Sequence, residues 1–114
     1  MGIKIKIANQ VFTAELESNA TADAFLDLLP RTFLMNEMGG NQKYHYLPAS
    51  LPVDLYSPGT VNAGELLIYK NSCLVLFYKE CQTTERYTRL GKVDNPEKLE
   101  YLLGRGNVTV TFQE

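Results

Sequence analysis

The side chains of this sequence whose types and spacing could do chemistry gather in two stretches, Tyr44-His45-Tyr46 and Arg86-Tyr87-Thr88-Arg89. His45 is the chain's one histidine. It has no second histidine, no cysteine pair at metal spacing and no serine in a recognisable nucleophile motif, so neither a metal centre nor a catalytic triad is expected. A structural histidine satisfied by a hydrogen bond is the plainer reading. Tyr44 and Tyr46 are two positions apart and share one face of a strand. They would form an aromatic shelf for a ligand or, more plainly, a pair of half-buried strand tyrosines. Tyr87 and Arg89 likewise point one way and Arg86 the other, and a phenol beside a guanidinium suits a carboxylate or a peptide carbonyl. The plainer alternative is an ion pair from arginine to Glu65, Glu80 or Glu85 on neighbouring strands. Tyr44, His45, Tyr46, Tyr87 and Arg89 are therefore the candidate ligand-binding residues, and no catalytic residue, cofactor or metal is expected.

The remaining chemistry-bearing types read as structural. Cys73, within Ser72-Cys73-Leu74-Val75-Leu76-Phe77, is a small core residue. Cys81 lies between Glu80 and Gln82, and an acidic neighbour raises a thiol pKa, which argues against an activated nucleophile. On one continuous strand the two cysteines would be roughly 26 Å apart, far beyond the roughly 6 Å a disulfide spans. Two free thiols favour a reducing, cytoplasmic setting. Gly59, Gly64 and Gly91 suit bends and bulges, since no helix start follows a glycine cluster. Met35 and Met38 are packing residues beside a turn.

Composition narrows the classes further. With 114 residues the chain is expected to be one domain with one core, spanning 1–114. An apolar content of 45% excludes general disorder. A net charge of -2 offers no basic field for nucleic acid. The longest apolar run, Cys73 to Tyr78, is far below the ~20 residues of a membrane helix. The opening Met-Gly-Ile-Lys-Ile-Lys-Ile alternates and has no signal-peptide core, and Lys6 occupies the position where myristoylation needs Ser or Thr.

The elements that must position the candidates follow from periodicity. Ile3, Ile5 and Ile7 alternate with lysines, and Phe12, Ala14 and Leu16 with polar residues, across a turn at Ala8-Asn9-Gln10. That pattern predicts an opening hairpin with one buried face. A helix of about ten residues is expected from an Asn19 cap to Pro30, with Ala22, Phe25, Leu26 and Leu29 as its apolar stripe. Arg31 to Met38 is strand-like, Gly39-Gly40-Asn41 breaks the chain, and residues 41–63 are irregular apart from a short strand at Lys43 to Leu47. A loop of that length is functional or covers a barrel end. Leu66–Tyr69 and Cys73–Tyr78, joined by Lys70-Asn71-Ser72, form a hairpin covered on both faces, followed by a strand from Arg86 to Val93. Asp94-Asn95-Pro96-Glu97 predicts a second helix, with Asn95 as the cap, Leu99, Leu102 and Leu103 buried and Gly104 at its end. Val108, Val110 and Phe112 close the chain as a last strand. The expected fold is mainly β: a closed, mostly antiparallel barrel of about eight strands capped by two short helices.

The segments TADAFLDLLP, PGTVNAGELLIY, CLVLFYK and YTRLGKVDNPEKL fall in an order that resembles the bacterial cyclophilin-like domain family, from Ile3 to Phe112. The resemblance implies a cyclophilin-type barrel. Cyclophilins are peptidyl-prolyl isomerases whose arginine hydrogen-bonds the prolyl nitrogen and weakens amide conjugation, lowering a barrier of about 20 kcal/mol. Here the Phe-His-Arg motif that would carry the arginine is missing. The nearest string is Tyr44-His45-Tyr46, tryptophan is absent, and Arg31, Arg86 and Arg89 lie outside any such motif. The expected function is thus binding of a short peptide or small molecule without cyclophilin-type catalysis, by a monomer or weak homo-oligomer with no nucleic-acid or membrane partner. The alternatives are a divergent prolyl isomerase and a structural module that pairs with a second copy through an exposed strand edge.

Overall fold

The computed structural model describes residues 1–104 and 106–114. Alternation builds its first hairpin. β1 (Gly2–Ile7) buries Ile3, Ile5 and Ile7, and β2 (Gln10–Leu16) buries Phe12, Ala14 and Leu16. The two pair antiparallel with Ile5 opposite Phe12, across a turn in which Ala8 has a φ of 54°. The strands that follow are β3 (Arg31–Met38), β4 (Gln42–Tyr46), the two-residue β5 (Thr60–Val61), β6 (Glu65–Tyr69), β7 (Cys73–Phe77), the two-residue β8 (Cys81–Gln82), β9 (Tyr87–Val93) and β10 (Val108–Gln113).

Eight of these strands close on themselves in the order β1-β10-β3-β4-β7-β6-β9-β2, all antiparallel, while β5 and β8 pair outside the barrel. This is the mainly β, closed barrel with two short helices that the periodicity predicts. Closure leaves the eight-stranded sheet without an unpaired edge, so a second copy would have to join through the outer edges of the separate β5–β8 pair. Among the described residues, no helix is long and apolar enough to cross a membrane.

Two hydrophobic clusters, one on each side of the sheet wall, explain why the central strands read as unbroken apolar runs. The lumen holds Leu66, Ile68, Leu74, Leu76 and Leu90 together with the inward residues of β1, β2, β3 and β10. The outer face of β6, β7 and β9 carries Leu67, Cys73, Val75, Phe77 and Tyr87, covered by Val61 of β5. At β9 the register slips, with Leu66 opposite Gly91 but Leu67 opposite Arg89. Leu90 is the extra residue of this bulge. Gly91 is required there, since a Cβ would lie 2.6 Å from the Glu15 carbonyl oxygen.

The ends are closed by the helices and the irregular segment. α1 (Ala20–Leu26) begins as expected: the Asn19 side chain accepts from the Ala22 amide at 2.7 Å and donates to the Arg89 carbonyl at 2.9 Å. It is shorter than its apolar spacing predicts. Leu28 and Leu29 donate to the carbonyls of Phe25 and Leu26, the tighter three-residue pattern, before the cis Leu29-Pro30 bond. Phe25 is fully buried and meets Phe112 edge-on at 5.8 Å. Residues 47–59 reinforce this end by burying Leu47 and Leu51, and the Thr21 hydroxyl donates to the Pro52 carbonyl at 2.6 Å. At the other end Pro96–Lys98 forms a 3-10 turn leading into α2 (Leu99–Leu103), which buries Leu99 and Leu103. The cap expected at Asn95 is not made. That residue is left-handed with φ 53°, and its side chain bonds no helix amide.

A polar cluster is also built into the α2 end. Lys43, with no exposed surface, donates from Nζ to Glu37 at 2.6 Å and to the Gly106 carbonyl, and the Tyr78 hydroxyl donates to the Glu37 carboxylate at 2.8 Å.

Candidate functional site

Register decides which of the candidate residues meet. On the outer wall the side chains line up across four strands. One row runs Tyr46, Cys73, Tyr69, Tyr87 through β4, β7, β6 and β9, and the next runs Tyr44, Val75, Leu67, Arg89. In each row the β7 position is short, a cysteine or a valine, and its neighbours are large. The sheet surface is therefore depressed at Cys73 and Val75, with tyrosines rising on both sides. The resulting groove has a volume of ≈ 260 Å³. Tyr44 and Tyr46 form one wall, their rings edge to face at 6.1 Å, and Tyr69 and Tyr87 form the other at 5.7 Å. Met38 and Gln42 close it at the β3–β4 hairpin, and Thr83 and Glu85 at the connection into β9.

One wall of the groove is packed and hydrogen-bonded from behind, and its rim is open. Phe77 backs Tyr87 edge-on at 5.9 Å, and the Tyr56 amide and carbonyl pair with the Tyr87 backbone at 2.8 and 2.9 Å. Tyr46, by contrast, leaves 60% of its surface in solvent. Three lining groups are pushed toward their neutral forms. The Glu85 carboxylate beside the Tyr69 hydroxyl, and then burial, push that phenol above its ordinary range. Burial pushes up Tyr87 and the Cys73 thiol, which places Cys73 among inert buried cysteines and not among reactive ones. Among the described lining residues, Glu85 is the one that carries a formal charge.

Three of the five candidates, Tyr44, Tyr46 and Tyr87, thus line one groove. The other two do not. His45 alternates with the tyrosines and faces the opposite side of β4, where it stacks on Phe33 at 4.6 Å and its Nδ1–H donates to the Leu34 carbonyl at 2.9 Å. These are the contacts that the plainer reading of His45 expects. Arg89 does share the outer face with Tyr87, but it ends the row that Tyr44 begins, three strand spacings or about 14 Å away. Its guanidinium lies 4.5 Å from the centroid of the Tyr56 ring and lines a separate, mixed-charge cleft with Glu17, Asn62, Glu65 and Lys92. The ion pair expected from it to Glu65, Glu80 or Glu85 is not formed among the described residues.

Seven described lining residues lie outside the candidate set, and among them Tyr69 and Glu85 are the aromatic one and the charged one. Tyr69 had a signal: a hairpin turning on Lys70-Asn71-Ser72 sets Tyr69 opposite Cys73. Glu85 had none, because it lies in the irregular connection between β8 and β9. Among the described residues, no group of three His, Cys, Asp or Glu side chains is placed to hold a metal ion.

No curated protein matches the chain at a significant level. Among solved structures, McbB in complex with tryptophan shares the fold with a TM-score of 0.68 at 16% sequence identity, over 98% of this chain and 44% of that one. The chain thus spans less than half the length of that protein. A family model described as the cyclophilin-like family matches residues 5–113. With a closed antiparallel barrel, its helical ends and that match in agreement, the chain belongs to the cyclophilin-like family.

Proposed function

We propose that the chain is a binding module that takes a small molecule or a side chain of a short peptide into the tyrosine groove, without catalysing a reaction on it. The observation that carries this reading is the groove itself: aromatic walls from three strands over a short-chained floor, with polar atoms at its ends. Concave aromatic sites with a few placed polar groups are where small ligands bind. That McbB, which shares the fold, is known in complex with tryptophan supports the same class of ligand here.

The isomerase alternative draws support from the same aromatic walls, which would suit a proline ring. Against it stands the guanidinium: Arg89 is directed to Tyr56 in the neighbouring cleft, and the described groove lining contains no arginine. An exchange assay on a proline peptide at high protein concentration is expected to give no rate above background.

Binding is tested by NMR titration with tryptophan, phenylalanine and short aromatic peptides, following the tyrosine ring signals. Saturable shifts are expected at Tyr44, Tyr46, Tyr69 and Tyr87, and Tyr46→Ala, an exposed change, should weaken binding about fivefold. Shifts confined to Tyr56 and Tyr101, or none at any tyrosine, would remove the groove from consideration.

A further inference from the structure

We propose that the groove selects organic cations, holding an ammonium group carried on a small apolar or aromatic body over its tyrosine faces, with Glu85 as counter-ion. This rests on the groove being the ligand site, and adds the charge of what it takes.

The charge balance of the lining points that way. Tyr44, Tyr46, Tyr69 and Tyr87 line the groove with phenol rings, whose quadrupole is negative over the ring face. The one formal charge at the groove is the Glu85 carboxylate, positioned on the connection into β9 beside Tyr69. No described cationic side chain lines the groove to offset either. An anionic ligand would meet the Glu85 carboxylate with no cationic side chain in the described lining, and a neutral one would gain apolar and hydrogen-bond contacts but no charge attraction. A cation gains both the ring faces and the carboxylate.

The chain already shows the attraction at the groove's edge. The Lys70 ammonium, at the turn after β6, lies 5.5 Å from the centroid of the Tyr69 ring. It is held there by no ion pair among the described residues. Size agrees as well: ≈ 260 Å³ accommodates an alkylammonium headgroup or a single cationic side chain, and not a folded segment. Arg89 shows the same preference elsewhere, resting on the Tyr56 ring in the next cleft.

The test uses the whole chain and pairs of probes matched in shape but not in charge: choline against 3,3-dimethylbutan-1-ol, and 2-phenylethylamine against 2-phenylethanol. Each is titrated while the tyrosine ring signals are followed. The cation of each pair is expected to bind about tenfold more tightly than its neutral partner, at Tyr46, Tyr69 and Tyr87. Glu85→Gln, an exposed change away from the core, should weaken the cations about threefold to tenfold and leave the neutral probes unchanged. Equal affinity within each pair, or tighter neutral binding, would overturn the preference while leaving the groove as a ligand site. Cation-induced shifts that ignore the groove tyrosines would overturn it too. Failure of all four probes to move any groove signal would overturn both this inference and the reading beneath it.

Discussion

Lys43 has no exposed surface, and its ammonium is satisfied by Glu37 and the Gly106 carbonyl. Glu37 keeps 28% of its side chain exposed and also accepts from the Tyr78 hydroxyl and the Gly40 amide. The two partners of the ion pair are therefore not equivalent. Glu37→Gln strands a buried positive charge and should cost about 2–3 kcal/mol, somewhat below the usual penalty for breaking a fully buried pair. Lys43→Met leaves Glu37 with two donors and water, and should cost less than half as much; chemical denaturation of the two variants compares them directly. The same cluster sets a pH window. Burial pushes the Glu37 carboxyl up, but Lys43, Tyr78 and Gly40 outweigh it and hold it below the ordinary 4.5. The folded chain then binds fewer protons there than the unfolded chain, so this contribution is present above pH 4.5 and lost as pH falls through the folded-state value. Tyr78 works in the opposite sense: burial and then the Glu37 carboxylate raise it from 10.0 to about 12, so its contribution is complete below pH 10 and lost as pH climbs toward 12. Glu37→Gln should flatten the acid limb of the stability profile and Tyr78→Phe the alkaline one. At this scale the sequence was only half legible. Period-two alternation places Lys43 and His45 on the face opposite Tyr44 and Tyr46, but Glu37, Tyr78 and Gly106 reach Lys43 only once the barrel closes.

The two helix starts look alike as strings and behave differently as structure. Asn19 caps α1 and also ties it to β9 through the Arg89 carbonyl. Asn19→Ala should therefore cost about 1–2 kcal/mol, at the upper end of a cap's usual contribution. Asn95 holds a left-handed φ of 53° and makes no capping bond. Asn95→Gly should leave the thermal midpoint unchanged or raise it, because glycine adopts that conformation without strain. A midpoint drop for Asn95→Gly comparable with that of Asn19→Ala would show that the second cap forms in solution. Local composition predicts a cap at both sites, and Asn19 makes it while Asn95 does not. Only φ separates a residue that caps from one that merely turns, and the turn after Asn95 sets Pro96 so close to Gly64 that a Cβ there would lie 2.8 Å from the proline ring. The groove has the same history. The tyrosines are visible as types, whereas the depression between them exists because Cys73 and Val75 fall in register with them.

Over the whole molecule, one strand completes the barrel. β10 is hydrogen-bonded to β1 on one side and β3 on the other, with Ile5 opposite Phe112 and Phe33 opposite Val110. It also contributes the fully buried Val110 and Phe112, the second of which supports Phe25 of α1. The alternating pattern of residues 108–112 showed that this strand exists and has one inward face, yet not that it is the join between the first hairpin and the rest. Removing residues 108–114 should therefore do more than subtract two core side chains worth about 1.5–3 kcal/mol each. It leaves β1 and β3 as unpaired edges that carry Ile3, Ile5, Ile7 and Phe33, the arrangement that recruits other chains. The truncated chain should lose cooperative unfolding, bind a hydrophobic dye and elute as aggregate. The comparison that isolates pairing from chain connectivity is a circular permutant opened between Gly39 and Gly40, with the two ends joined by a short flexible linker. It keeps every strand pair of the barrel, because β1 and β10 are already neighbours. If it unfolds in a single transition while the truncated chain does not fold, closure through β10 is what holds the wall on which the tyrosine groove is built. If the truncated chain folds as well as the permutant, the barrel tolerates an open seam there and the groove depends on β4, β7, β6 and β9 alone.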